Sequence, residues 1–443
     1  MKKRLISGII VGVLLLFNST ICFAAEYAYS YGMLYHGVGE INTSKDAQDA
    51  ATEFGIAGYS SYYNTYPKWS YVNGLNPNTN DYRIKSQIFF FSGHGTGGRI
   101  LFHPYETMAE QENFHITTNF TQPTSKNSLR LSNFSLTNVK LMTFGACNSA
   151  NNDAGYPQTR GNLIDTAVSR GAKTAVGWTV SVGTASHTAW LKRYTGELAL
   201  GQSVQQAIDY ANAFDYSDPN VEKYRVAGNK DLKISSYSAT LFSSNLNADN
   251  MKINIVDGNN IYTQNGVTKG ISFDENLKEE LKININNVDI NRIEKLLSKY
   301  TNIKIKKVNF RISVESINDN QYVIKMIETI GDIDTNSRII INVNDGNIRS
   351  IFDSTKDIKI KNDSFYKNMI KKEIKEKAKN KLKEKISNEK EFKIISEDEK
   401  IYYDCEKNQF VYALYYDIKQ TVQEYDDRYI YLINAITGDE IAE

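Results

Sequence analysis

The run Ile88-Phe89-Phe90-Phe91 is apolar at consecutive positions, and it restricts the fold more than any other feature of the chain. A strand with one wet face alternates apolar and polar residues; this one has no wet face. Val139-Lys140-Leu141-Met142-Thr143-Phe144 reads as a second buried strand, and Thr174-Ala175-Val176-Gly177-Trp178 as a third. Tyr31 to Tyr35 is a shorter apolar run. Between these lie helical patterns. In Ser44 to Phe54, residues Ala47, Ala50, Ala51 and Phe54 recur at helical spacing before Gly55. In Asn162 to Arg170, residues Leu163, Ile164, Ala167 and Val168 share a face, with Gly171 as the cap. Two further helices follow, the second opened by Ser203 with Gln206 in a capping-box pattern. Doubly buried strands alternating with helices predict an α/β fold, a mostly parallel sheet sandwiched between helices. Phe102 to Ser132 is long and polar and is expected to be a loop over one end of the sheet.

At 443 residues the chain should hold two or three domains. Residues 25–245 are rich in small and aromatic side chains; beyond about 250, Ile, Lys, Asn, Asp and Glu dominate, and the run Ser243 to Asn250 is the expected boundary. In the second region Ile339 to Ile348 reads as strand, turn, strand, and Tyr429 to Ile441 repeats the pattern. Asp345-Gly346 and Thr437-Gly438 fall in the turns, where Gly supplies the positive φ of a hairpin. A Lys- and Glu-laced helix, Phe365 to Ile386, precedes the second copy, its charges read as a solvated face rather than a membrane or polyanion contact. The expected units are 246–360 and 361–443, a C-terminal α+β region.

Lys2, Lys3 and Arg4 precede the apolar stretch Leu5 to Phe17, and Cys22-Phe23-Ala24-Ala25 is a small-residue exit. Residues 1–24 therefore read as a cleaved secretory signal, with an uncleaved anchor as the alternative. The expected location is secreted, extracellular or at the cell envelope, with no integral membrane segment after cleavage. Lys+Arg 52 against Asp+Glu 51 leaves a formal charge of +1 and no overall electrostatic case for nucleic acid. The mature cysteines, Cys147 and Cys405, could pair but sit in segments of different character. Two cysteines do not make a disulfide scaffold, and an exported free thiol invites a chemical explanation.

Two of the buried strands end in reactive residues: Ile88 to Phe91 leads to Ser92-Gly93-His94-Gly95, and Leu141 to Phe144 leads to Gly145-Ala146-Cys147. Side chains just past the carboxyl ends of adjacent parallel strands converge on one crevice. A following helix N-terminus would favour the thiolate there, and an imidazole could take the thiol proton. The glycines flanking His94 admit a close substrate backbone, and the Gly95 and Cys147 amides are candidates for an oxyanion hole.

This pairing of hydrophobic strand–His-Gly with hydrophobic strand–Ala-Cys resembles the clan CD cysteine peptidases, which include caspases, legumains, gingipains, clostripains, separases and CHAT domains. Around Cys147 the chain is most similar to CHAT domains, in Leu141-Met142-Thr143-Phe144-Gly145-Ala146-Cys147-Asn148-Ser149, and the likeness runs on through Ala167 to Trp178 and Gly201 to Ala207. It covers roughly residues 85 to 212. The resemblance implies a three-layer α/β/α caspase-like domain, with His94 as general base and acid, Cys147 as nucleophile, and Gly95 with Cys147 as oxyanion donors. It also implies that residues after the third strand, Trp178 and Thr179 first, line the specificity pocket. Asp153 is the nearest acidic candidate for reading a basic side chain. No metal or organic cofactor is implied; calcium is the one ion left open, because it assists some relatives. The strand–turn–strand repeats resemble PepSY modules, which implies a C-terminal region of two PepSY-like units covering or regulating the crevice by intramolecular contact. The expected substrate is a protein or peptide.

Each residue also has a plainer explanation. A Gly-flanked His at a strand end is often a turn residue, and a lone Cys is often a small buried hydrophobe. His36 follows a strand without a linked nucleophile; His103 and His115, twelve apart, fit no zinc spacing; His187, early in a helix, reads as packing or surface. No Walker loop, dinucleotide fingerprint or GxSxG elbow is present. The readings that remain are a cysteine endopeptidase, an inactive caspase-like fold serving as an extracellular binding or envelope-associated module, and an envelope protein in which the C-terminal half is the active part.

Overall fold

The computed structural model describes residues 26–34, 41–102, 114–121, 127–152, 161–234, 251–256, 259–264, 267–273, 281–300, 310–318, 321–344, 346–353, 355, 372–387, 392–420 and 426–441. The expected signal, the boundary run Ser243 to Asn250, and His36, His103 and Asp153 lie outside these residues.

The first region is built on a sheet in which β1 (Tyr27–Gly32), β2 (Ser60–Asn64), β5 (Ile88–Ser92), β10 (Leu141–Gly145), β11 (Thr174–Trp178) and β12 (Tyr224–Gly228) take the order β12-β11-β10-β5-β1-β2. All neighbours are parallel except β12, which runs antiparallel to β11 at one edge. Outside this sheet lie the short helix α2 (Trp69–Val72) and the paired two-residue strands β3 (Leu75–Asn76) and β4 (Asp81–Tyr82). The chain is thus mixed α/β with a largely parallel sheet, as the doubly buried strands require. Period-two alternation divides the core. Ala28, Ile88, Phe90, Leu141 and Val176 face one side, packing on α1 (Ser44–Ile56), α4 (Thr184–Ala199) and α5 (Val204–Ala211). Tyr29, Tyr31, Phe89, Phe91, Met142, Phe144 and Ala175 face the other, packing on α3 (Leu163–Ser169) and a β-ribbon. Ile88 through Phe91 are each 0% exposed. Each such side chain gains about 1.5–3 kcal/mol from burial, which is why this run anchors the sheet.

Several local signals act as the sequence predicts. Ser203 and Gln206 form the capping box of α5. Asn162 caps α3 through its side chain, and Gly171 ends it at φ +109°. Helix α1 runs past Gly55 to Ile56, and Gly58 takes the positive φ instead.

The expected loop from Phe102 to Ser132 holds strands. β6 (Gly95–Thr96), β7 (Arg99–Phe102), β8 (Phe114–Thr117) and β9 (Asn127–Arg130) make a ribbon. Phe114 and Ile116 are buried, and Phe114 stacks on Phe102 at 4.6 Å, so a few apolar positions dispersed among polar ones suffice to make strands. His115 is buried on β8, where burial and then the charge of Arg99 push its imidazole down to about 3.

The second region begins with β13 (Met251–Val256), β14 (Asn259–Gln264) and β15 (Val267–Ser272). A helix followed by antiparallel strands then appears twice. The first set is α6 (Ile290–Tyr300), β16 (Phe310–Asn318), β17 (Gln321–Ile330), β18 (Ile333–Asn344) and β19 (Asn347–Asp353). The second is α7 (Lys372–Ser387), β20 (Phe392–Asp404), β21 (Gln409–Gln420), β22 (Asp426–Asn434) and β23 (Glu440–Ile441). Ile293 and Leu297 of α6 pack on Ile324, Met326, Ile339 and Ile341; Ala378 and Leu382 of α7 pack on Tyr412, Leu414 and Tyr416. Gly346 and Gly438 sit in the turns at φ +72° and +75°. The charged face of α7 is not left wholly to solvent: Lys375 pairs with Glu399 at 2.7 Å and Lys379 with Glu397 at 2.6 Å on β20.

The two regions meet through buried polar groups. Glu222, before β12, pairs with Lys325 of β17 and with Arg338 of β18 at 2.9 Å. Burial raises the Glu222 carboxyl, but Lys325 and Arg338 outweigh burial and hold it below its ordinary range. Tyr210 of α5 stacks on Tyr262 of β14, and Ser350 of β19 donates to Asp209 of α5 at 3.2 Å. Among the described residues no helix is long and apolar enough to cross a membrane.

Candidate active site

The register of the parallel sheet places the two motif residues. Ser92 of β5 lies opposite Gly145 of β10. His94 and Cys147 each follow by two residues, so they emerge at the same level from adjacent strands. The Gly93 amide donates to the Gly145 carbonyl at 3.0 Å, extending the pairing one step beyond the strands. Both motif residues are buried, His94 at 2% and Cys147 at 5% exposure.

Gly95 sets how closely the two loops approach. A Cβ there would lie 2.7 Å from the Ala146 Cβ and 3.2 Å from the Cys147 carbonyl oxygen. Any side chain would push the His94 loop off the Cys147 loop, which is the physical reason for the glycine. The two amides expected to bind an oxyanion, those of Gly95 and Cys147, therefore belong to loops in direct contact.

The Cys147 loop is a sharp turn. Asn148 adopts φ +54°, a left-handed conformation that Asn tolerates better than most residues, and its amide donates to the Val180 carbonyl at 3.1 Å. The Ser149 hydroxyl donates to Phe144 O at 2.8 Å and accepts from the Trp178 amide at 3.1 Å, tying the loop to the end of β11. Residues 146–152 form bends and turns rather than the helix N-terminus expected behind the thiol, and among the described residues the next helix, α3, begins at Leu163. The Val182 amide donates to Cys147 Sγ at 3.4 Å instead. Burial, followed by the charges of Asp427, Asp426 and Asp417, pushes the thiol well above its ordinary value; the Val182 bond opposes this without prevailing. In this arrangement the sulfur is held as the thiol. Neither Cys147 nor Cys405 is in a disulfide.

The segment behind His94 is braced. Thr43 donates its hydroxyl to Ser92 O at 2.6 Å, and Ser92 donates its own to Asp46 Oδ2 at 2.6 Å. Burial raises the Asp46 carboxyl to about 6 against the pull of hydrogen bonds from Ser92 and Thr188. His187 of α4 is buried edge-on against Trp178, its Cε1 3.1 Å from where a Gly145 Cβ would be, and burial lowers its pKa to about 3. It packs beneath the strand end rather than lying on the surface.

Trp178 is wholly buried, its indole donating to Val221 O at 2.8 Å. Thr179 donates both its amide and its hydroxyl to Lys223 O at 3.0 Å. The wall nearest the sulfur is formed by Val182 and Gly183, a few residues further on. The Gly183 amide donates to Asp218 Oδ2 at 2.7 Å, and Asp218 is 0% exposed.

The second region covers the ends of β5 and β10. Asp426, the first residue of β22, pairs antiparallel with Gly95. Its Oδ2 accepts from Thr96 Oγ1 at 2.5 Å and from Asn148 Nδ2 at 3.0 Å. Arg428 Nε lies 3.1 Å from Asp218 Oδ1, an ion pair not aligned as a hydrogen bond, and Ile430 Cδ1 is 2.5 Å from where a Gly183 Cβ would be. Asn148, Asp218, Asp426 and Arg428 are the site residues that sequence reasoning missed. The charged cluster Asp426-Asp427-Arg428 opening an apolar strand was the visible signal for two of them. Among the described residues no group of His, Cys, Asp and Glu is arranged to hold a metal ion.

No family model matches this chain, and no curated protein matches it.

Proposed function

We propose that the protein is a secreted cysteine endopeptidase of the clan CD type, with a three-layer caspase-like catalytic domain and a C-terminal half of two PepSY-like units that regulates it. The observation that carries this reading is the register: Ser92 opposite Gly145 delivers an imidazole and a thiol to one end of a parallel sheet, with Gly95 against Ala146. The secretory part rests on the charged and apolar pattern of residues 1–24.

In this mechanism the Cys147 thiol passes its proton to His94 and the sulfur attacks the scissile carbonyl. The oxyanion that forms accepts hydrogen bonds from the Gly95 and Cys147 amides. His94 returns the proton to the departing amine, leaving a thioester on Cys147. Water, deprotonated by the same imidazole, then attacks the thioester and releases the acid and the thiol. The chemistry needs no metal or organic cofactor.

The covered crevice and the raised thiol pKa favour a second reading, an inactive fold whose crevice serves as a binding surface. Incubation of a mixed peptide library with the mature protein under reducing conditions, beside Cys147→Ala, separates the two. Cleavage lost in the variant supports the peptidase. No cleavage by either, even after the C-terminal half is removed, sinks it.

A further inference from the structure

We infer that β22 is an internal pseudo-substrate and that the crevice it fills selects peptides carrying arginine at the residue whose carbonyl is attacked, with Asp218 as the specificity-determining residue. This deepens the peptidase reading and rests on it.

Three features of β22 mimic a bound extended peptide. Its backbone adds antiparallel to Gly95, the neighbour of His94, as a strand adds to a sheet edge in peptide recognition. Alternate side chains then face the first region. Asp426 reaches Thr96 and Asn148, Arg428 reaches Asp218, and Ile430 reaches Gly183. The intervening face belongs to the second region's own core, where Tyr429 and Tyr431 pack with the α7 cluster. The chain that crosses the crevice thus presents Asp426, Arg428 and Ile430 to it in the manner of a ligand, while Asp427 between them lies close enough for its charge to act on the Cys147 thiol.

The Arg428 position is one residue removed from the thiol. Val182 donates its amide to Cys147 Sγ, and the next residue, Gly183, donates to Asp218. Asp218 also accepts from the Asn220 amide at 3.0 Å, as N-cap of the 3-10 turn Pro219–Glu222, so its carboxylate is oriented by two backbone donors. A carboxylate at 0% exposure demands a cationic partner, and in this arrangement the partner comes from β22. Arg428 is itself steadied within the second region, by Asp417 at 2.7 Å and by the Tyr415 ring at 4.8 Å. Withdrawal of β22 therefore carries the guanidinium away and leaves Asp218 to be met by a side chain of the same kind.

The test uses the full chain carrying Arg428→Ala, or Arg428→Gln to keep the stem volume, each with and without Asp218→Asn, and with Cys147→Ala as the blank. Thermal unfolding followed by circular dichroism confirms that each variant is folded. The probes are fluorogenic peptides differing at one residue only, arginine, lysine, norleucine or aspartate. The expected result is faster cleavage of the arginine peptide when Arg428 is replaced. Adding Asp218→Asn should then cut the arginine-over-norleucine preference on the order of 100-fold. Cleavage that depends on Cys147 but shows no basic preference overturns the inference and leaves the peptidase reading standing. If no variant cleaves, the peptidase reading falls, and the pocket is judged by binding. N-acetyl-arginine methylamide should slow iodoacetamide alkylation of Cys147 in Arg428→Ala and fail to do so once Asp218→Asn is added. Equal alkylation with and without the ligand overturns the pocket.

Discussion

A Cβ added to Gly95 would sit 2.7 Å from the Cβ of Ala146, closer than two carbon atoms can rest. The two loops that bear the imidazole and the thiol can therefore coexist only while residue 95 lacks a side chain. Gly95→Ala is expected to cost about 1–3 kcal/mol, the usual penalty of overpacking. It should also abolish turnover, because relief of the clash moves His94 away from Cys147. Urea unfolding and peptide cleavage measured side by side would show both effects, and full activity in the variant would contradict the proposed geometry.

Asn148 separates turn from contact. Its φ of +54° favours Asn or Gly, while its side chain also holds Asp426. Asn148→Ala should lose both, costing about 1–3 kcal/mol in backbone strain and broken bonding. Asn148→Gly should keep the turn and lose the clasp on β22 together with the longer side-chain bonds to Ser181 and from Asn151, both 3.3 Å. The expected reading is that the Gly variant unfolds near the wild-type temperature yet alkylates faster at Cys147. Equal alkylation rates would remove Asn148 from the closure.

The buried contact of Glu222 with Lys325 and Arg338 joins the two regions. Removing one partner strands a charge without water, which usually costs about 3–5 kcal/mol. Lys325→Met and Glu222→Gln should each lower the urea midpoint by a corresponding amount, and the double variant should recover part of the loss. Additive losses would mean that the groups act independently.

The pH dependence has a defined sign at Asp209. Burial lifts its folded value from 3.8 to about 7, with the donors Gln205 and Ser350 and the charge of Arg349 opposing. A carboxyl raised in the folded state binds its proton more tightly there than in the unfolded chain. Its contribution to stability is complete below about 4 and is lost as the pH rises through 7. Asp209→Asn should flatten that decline, which is on the order of 4 kcal/mol between the two ends of the range. Melting temperatures from pH 4 to 8 would measure it. Glu222 acts in the opposite sense: its depressed carboxyl stabilises above its unfolded value, and that contribution is lost as the pH falls through the folded one.

What was legible in the sequence was what local chemistry dictates. Ile88 to Phe91 could only be a doubly buried strand, Ser203 with Gln206 could only open a helix, and Gly346 and Gly438 could only turn. The adjacency of β5 and β10 followed from the matched motif ends. The ribbon from β7 to β9 was not legible, because its strands are short and their apolar residues sparse; Phe114 and Ile116 are buried by neighbours that the sequence does not name. Edge strand β2 is polar, Ser60-Ser61-Tyr62-Tyr63-Asn64, and carries little strand signal at all. Asp218 and Arg428 lie more than two hundred residues apart in the chain, and no periodicity relates them. Their meeting is a property of how the regions dock. The sharp turn at Asn148 occupies the place where a helix was expected, and this changes what sets the state of the thiol.

The pairing of Gly95 with Asp426 has a further consequence for handling the protein. Through it the ribbon β6 to β9 becomes the end of a sheet of 15 strands among the described residues. Stripped of β22, β6 would present bare N–H and C=O groups beside the reactive pair, an invitation to any extended chain. On the proposed reading, covering this edge would also guard the protein against self-association. A protein truncated near residue 245 should lose solubility as its concentration rises, and a bound peptide that re-covers β6 should restore it.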